Sequence, residues 1–230
     1  MREIEMEGRK IYLAGKERAS VCIIEPVGGQ DEDMLEQEWQ EIRKRCGKAE
    51  ICYAALRIED WNAELSPWKA PAVFGNQTFG DGAKETLDFL LQKMLPKVNQ
   101  LFFLEETDTT YILGGYSLSG LFSLWAGYET DFFHKIAAVS PSVWFPKWDT
   151  YIRGKKILAR SIYLSLGDKE SHTKNEVMEK VSERIELQNQ ENRKQLGTEN
   201  CYFEWNQGNH FKEPQIRKAK GFAWLTGEQG

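Results

Sequence analysis

The run Thr109-Thr110-Tyr111-Ile112-Leu113-Gly114-Gly115-Tyr116-Ser117-Leu118-Ser119-Gly120, continuing as Leu121-Phe122-Ser123-Leu124-Trp125-Ala126, constrains the fold more than any other stretch of this chain. It reads as a short apolar strand, a glycine pair, a serine, and then a helix of small and apolar residues. That order predicts a sharp strand-to-helix turn holding a serine hydroxyl above the end of a sheet. Strand and helix pass close together in such a turn, so the positions two before and two after the serine must be small. Gly115 and Ser119 fill them here, giving G-Y-S-L-S-G in place of the usual G-x-S-x-G. Ser119 itself fits the turn badly as nucleophile, because its own neighbours at those positions are Ser117 and Leu121. The amides that open the following helix favour negative charge developing beside Ser117. A phosphate-cradling loop is disfavoured, since no G-K-[ST] follows.

The rest of the chain is read around that turn. Its 230 residues suit one domain spanning 1–230. Ile51 to Ile58 is a nearly continuous apolar run, expected of a strand covered on both faces. Lys135–Ser140, Ser161–Leu166 and Cys201–Trp205 repeat the pattern after the serine. Lys10–Leu13 and Ser20–Glu25 read as two strands joined in a hairpin at the sheet edge. Helices are expected over Asp31–Cys46, where Leu35, Trp39, Ile42 and Cys46 share one face, over Gly82–Lys97 ending near Pro96, over Asn175–Arg193, with Val177, Val181 and Ile185 in line, and over Pro214–Leu225. The alternation predicts a mostly parallel sheet with helices on both faces. Glu59–Gly80 is a long segment rich in Trp, Pro and Asn, and loops of that length in compact domains are usually functional.

Charge and cysteine usage narrow the partners. A net charge of −5 with pI near 5.5 argues against nucleic acid or an anionic membrane surface as the main partner. No stretch approaches the ~20 apolar residues of a membrane span, and Met1–Glu7 has no apolar signal core. Cys22, Cys46, Cys52 and Cys201 lack C-x-x-C spacing, and Cys22 and Cys52 sit in apolar runs. A cytoplasmic, reduced protein is the expectation, with no structural metal; oligomeric state is left open.

A serine hydroxyl attacks well only when a base takes its proton, and a carboxylate usually fixes that base's tautomer. The chain has three histidines. His134 precedes a buried strand and His172 follows the candidate acids too closely. His210, in Gly208-Asn209-His210-Phe211, follows the last strand, where the catalytic groups of a parallel sheet collect. His210 is therefore the expected base. The acid should come from Gly167-Asp168-Lys169-Glu170, completing the chain order Ser, acid, His. Glu170, three residues past the glycine, is preferred there, with Asp168 the alternative. Two amides should meet the oxyanion, each contributing on the order of 3 kcal/mol to the transition state. One is that of Leu118; the other is expected in the loop after the 51–58 strand near Asp60, Trp61 or Asn62, with Trp61 chosen.

These motifs together resemble one family. G-G-Y-S-L-S-G-L around Ser117, D-W-N-A-E-L-S-P-W from Asp60 to Trp68, S-P-S-V-W-F from Ser140, L-G-D-K-E before His172 and G-N-H-F around His210 are similar to the α/β-hydrolase esterases that include esterase D, feruloyl esterases and ferric-siderophore esterases. The resemblance spans most of the chain and implies an α/β-hydrolase fold and cleavage of a small-molecule carboxylic ester without cofactor. One departure is the acid, Glu170 where many relatives use Asp. The stretch from Val139 to Glu170 is too short for a large helical lid, so an open site is expected, with Trp68, Trp144 and Phe145 as substrate-binding candidates. The same triad would serve an acyltransferase, and the fold alone would serve a non-catalytic binding protein. The first is separated from an esterase only by its acceptor, and the second gives no reason to keep all three groups.

Overall fold

The computed structural model describes residues 1–73 and 75–227. An eight-stranded sheet runs through it in the order β1-β2-β4-β3-β5-β6-β7-β8. β1 (Arg2–Met6) and β2 (Arg9–Gly15) form an antiparallel hairpin, and β2 runs antiparallel to β4 (Ile51–Arg57). All other pairings, through β3 (Val21–Val27), β5 (Thr110–Tyr116), β6 (Lys135–Val139), β7 (Ser161–Gly167) and β8 (Cys201–Asn206), are parallel.

The edge hairpin differs from the one expected. β2 pairs with β1 across Glu7 (φ 50°) and Gly8 (φ 77°), a two-residue turn with both centres left-handed, which matches strand twist. β3 instead inserts between β4 and β5. The reason lies in β3 itself: all seven of its residues are buried, so an edge position would expose an apolar face. β1 gives little strand signal because its apolar residues, Ile4 and Met6, alternate with Glu3 and Glu5 and resemble a polar leader.

Helices cover both faces. α1 (Leu35–Arg45) and α8 (Pro214–Thr226) pack on one, where Trp39, Ile42, Phe222 and Leu225 meet Ile23, Tyr53 and Tyr163 of the sheet. The short α2 (Trp61–Glu64) opens the Glu59–Gly80 segment. On the opposite face lie α3 (Ala83–Phe89), α4 (Leu95–Phe102), α5 (Leu118–Glu129), α6 (Trp148–Gly154) and α7 (Val181–Leu196).

Two helices depart from expectation. The helix expected to stop near Pro96 continues to Phe102 through a π-helical turn, Leu90–Met94. There Leu95 N–H donates to the Leu90 carbonyl five residues back. The wider turn relieves both the missing Pro96 N–H and the crowding of its ring. α7 begins only at Val181, after a 3₁₀ turn, and Val177 lies exposed outside the stripe.

Only α6 separates β6 from β7, and no large lid covers the carboxyl ends of the strands. No helix among the described residues is long and apolar enough to cross a membrane.

Candidate active site

The turn from β5 into α5 places Ser117 at φ 59° and ψ −120°, a conformation that normally costs a non-glycine residue about 1–3 kcal/mol. Its surroundings hold it there. Ser117 N–H donates to Val139 O at 3.1 Å, and Ser117 O accepts from Ser142 N–H at 3.0 Å. A Cβ on Gly115 would run into Ser119, so bare backbone is required at that position. Ser119, in place of a second glycine, is fully buried and donates to Pro26 O at 2.7 Å, tying the end of β3 to the elbow.

The structure brings Ser117, His210 and Glu170 together. His210 Nε2 lies 3.1 Å from Ser117 Oγ, and His210 Nδ1 lies 2.7 Å from Glu170 Oε2. With the ring proton on Nδ1 facing the carboxylate, Nε2 is free to accept the serine proton. The other carboxylate oxygen, Glu170 Oε1, accepts from Gly167 N–H at 2.7 Å, Ser140 Oγ at 2.6 Å and Arg217 Nη1 at 3.0 Å. Burial opposes ionisation of Glu170. Only together do the His210 contact, Ser140 and the Gly167 amide overcome it and hold the carboxyl below the usual glutamate range. Asp168, the alternative acid, turns away and accepts from Gly208 N–H at 2.7 Å, shaping the loop that carries His210.

Reading the sequence missed a layer of residues behind this trio. Arg217 on α8 is 2% exposed and donates to Tyr116, Ser140 and Glu170 through Nη1. Its Nη2 donates to Gln207 O and Asn209 O at 3.1 and 3.0 Å. Tyr116 OH in turn donates to His210 O at 2.6 Å. Burial, followed by the Glu170 charge, pushes the Tyr116 hydroxyl up to about 12, so it stays a donor at neutral pH. The available signal was the place of Arg217 on α8, one turn before the buried Gly221, where an amphipathic helix should be apolar.

A cavity of 320 Å³ opens at Ser117 and His210, walled by Met34, Trp61, Tyr116 and Phe211, with Asp31, Glu38 and Lys218 also in its lining. A larger hollow of 730 Å³ lies by Lys16, Trp39 and Arg43 and holds no nucleophile, so the smaller one is the candidate site.

The aromatic candidates divide between the cavity and the packing beside it. Trp68, Trp144 and Phe145 do not line the cavity. Phe145 is buried against Trp68 and Phe79, Trp144 packs on Phe79, and Trp68 Nε1 donates to Pro146 O at 2.9 Å. These rings clamp the Glu59–Gly80 segment to the chain after β6. Trp61 does reach the cavity, but its loop follows β4, one strand further from β5 than the turn after β3.

Sheet order, elbow and the Ser-His-Glu arrangement define an α/β-hydrolase. Solved structures sharing the fold include an IroE-like serine hydrolase from Shewanella oneidensis, with 14% identity, 98% of this chain and 79% of the other covered, and a TM-score of 0.76. The siderophore hydrolase EstA from Aspergillus nidulans follows at 17% identity, 98% and 93% coverage and a TM-score of 0.75. The enterobactin esterase FES from Shigella flexneri aligns at 15% identity over 94% of this chain and 55% of its own, with a TM-score of 0.63. No curated protein matches in sequence. The model of the family described as "Putative esterase" matches residues 12–218, and the chain belongs to that family of carboxylic ester hydrolases.

Proposed function

We propose that this chain hydrolyses a small carboxylic ester through an acyl-enzyme on Ser117. The observation that carries the reading is the continuous line from Ser117 Oγ through His210 to Glu170, at 3.1 and 2.7 Å. His210 Nε2 takes the Ser117 proton as Oγ attacks the ester carbonyl, and Glu170 stabilises the imidazolium that forms. The oxyanion is met by the Leu118 amide at the start of α5 and by an amide of the turn after β3. Gly28 N–H already donates to Asp31 Oδ2 at 2.9 Å, which points to Gly29 as the second donor. His210 then protonates the leaving alcohol, the ester C–O bond breaks, and water activated by the same imidazole releases the acid.

The cavity sets the scale of the substrate. At 320 Å³, with mostly apolar walls, it suits a small or medium acyl group. The siderophore substrates named for the neighbours are the first natural esters to try. Its wall pairs Lys218 with Glu38, beside Asp31, so the cavity carries charge of both signs.

The test is turnover of p-nitrophenyl esters from acetate to octanoate by wild type and Ser117→Ala, with an alcohol acceptor added in parallel. Hydrolysis by wild type that disappears in the variant is expected, with free acid as the main product. Turnover surviving in Ser117→Ala contradicts the assignment, and a predominance of transferred ester would make the protein an acyltransferase.

A further inference from the structure

We infer that Arg217 is a positioning residue that locks the Glu170–His210 pair in register with Ser117, an inference that rests on the reading above. One buried guanidinium reaches four segments that sequence separates widely: Glu170 after β7, Gln207 and Asn209 after β8, Tyr116 just before the nucleophile, and Ser140 after β6. Its planar fork suits this, because Nη1 faces the acid while Nη2 faces the two carbonyls flanking Gly208. The loop that presents His210 and the side chain that orients it are thus held by the same rigid group.

The arrangement also accounts for glutamate as the acid. Glu170 has one more rotatable bond than an aspartate, so its Oε2 can meet His210 reproducibly only if Oε1 is pinned. Arg217 and Ser140 supply the side-chain donors for that, with the Gly167 amide as the third. Ser140 is itself tied to Arg217 Nη1 at 3.2 Å, so the side-chain pins share one anchor. Tyr116 closes the circuit by donating to the backbone of His210 while accepting from Arg217.

Charge matters as well as shape. Arg217 stands on the side of Glu170 away from His210 and offsets part of its negative charge. Removing that cation leaves imidazolium as the main compensation for the carboxylate, which favours the protonated base.

Arg217→Met and Arg217→Lys separate these effects, with fold checked by circular dichroism and melting temperature. In Arg217→Met, kcat on a p-nitrophenyl ester should fall about 100-fold through loss of orientation. KM should stay within about threefold. The acidic limb of its kcat/KM–pH profile should move up by roughly half a pH unit or more. Arg217→Lys keeps the charge but not the fork, so its limb should return toward wild type while kcat stays low. A merely structural arginine would lower the melting temperature without moving the limb. A folded Arg217→Met with wild-type kcat, or with an unmoved limb, overturns the inference. If Arg217→Met does not fold, wild-type kcat in Arg217→Lys overturns it alone. Wild type that neither hydrolyses esters nor takes a fluorophosphonate label would instead sink the esterase mechanism and this inference with it; normal labelling of wild type and of both variants at equal rates sinks the inference only.

Discussion

Arg217 and Lys218 are neighbours on α8, both cationic and both buried, yet they bind entirely different partners. Every partner of Arg217 lies on Tyr116 or on the loops at the carboxyl ends of β6, β7 and β8. Lys218 pairs instead with carboxylates of β3 and α1. Its Nζ lies 2.5 Å from Glu25 on β3 and 2.6 Å from Glu38 on α1, and Tyr53 OH donates to Glu25 at 2.8 Å. Burial penalises the Lys218 ammonium, but Glu25 and Glu38 more than reverse that and raise its pKa. The first network joins the loops that carry Glu170 and His210; the second joins a helix pair to the sheet beside the same cavity. Burial of a charge therefore says nothing about its role until its partners are known.

That contrast can be tested. The largest effect should come from the Ser117–His210–Glu170 line. Glu170→Gln keeps the shape but lets the imidazole sit in the wrong tautomer, and kcat should drop by about 10⁴-fold as in serine triads generally. A stopped assay on a short-chain ester measures it, and a loss under tenfold would remove Glu170 from the triad.

The structural network should respond in stability. Lys218→Met leaves Glu25 and Glu38 buried without their cation, which should destabilise by about 3–5 kcal/mol in urea unfolding. Its signature belongs in the unfolding midpoint and not in the position of the acidic limb. A shifted limb with unchanged stability would erase the distinction between the two networks.

A smaller effect should appear as pH dependence. Burial, then the nearby Glu25, pushes the Glu38 carboxyl well above its ordinary value, against the pull of Lys218. A carboxyl raised in the folded state stays protonated there while the unfolded chain ionises, so its contribution is complete at low pH. It is lost as pH rises from about 4.3 through the raised value. Glu38→Gln cannot titrate, so the stability of wild type relative to the variant should fall between about pH 4.3 and neutrality. Denaturation curves at several pH values that stay parallel would contradict this.

The smallest change concerns the elbow. Ser119→Ala removes the bond to Pro26 O and should cost about 1 kcal/mol, while Ser117 still takes a fluorophosphonate label. Loss of labelling with the fold intact would reopen Ser119 as nucleophile.

What could be read beforehand follows the same division. Ser117, His210 and Glu170 stood out because each sits at a strand end in a short local motif and in a fixed chain order. Arg217 and Lys218 did not, because their partners lie up to 193 residues away and nothing local marks the pairing. β3 was misplaced for a related reason: an apolar strand near the start of the chain looks alike at an edge or in the centre until its neighbours are known. The tryptophans carry the opposite ambiguity. Trp68 and Trp144 lie in segments that flank an active site, but a large ring packs as readily as it binds, and here the rings clamp two loops together.

If Ser117 is the nucleophile, its hydroxyl attacks a fluorophosphonate, expels fluoride and keeps the phosphonyl group, which intact mass reads. One adduct per chain is expected, mapped by peptide sequencing to Ser117, lost in Ser117→Ala and slowed in His210→Ala. An unmodified wild-type chain, or an adduct that persists in Ser117→Ala, would contradict that role.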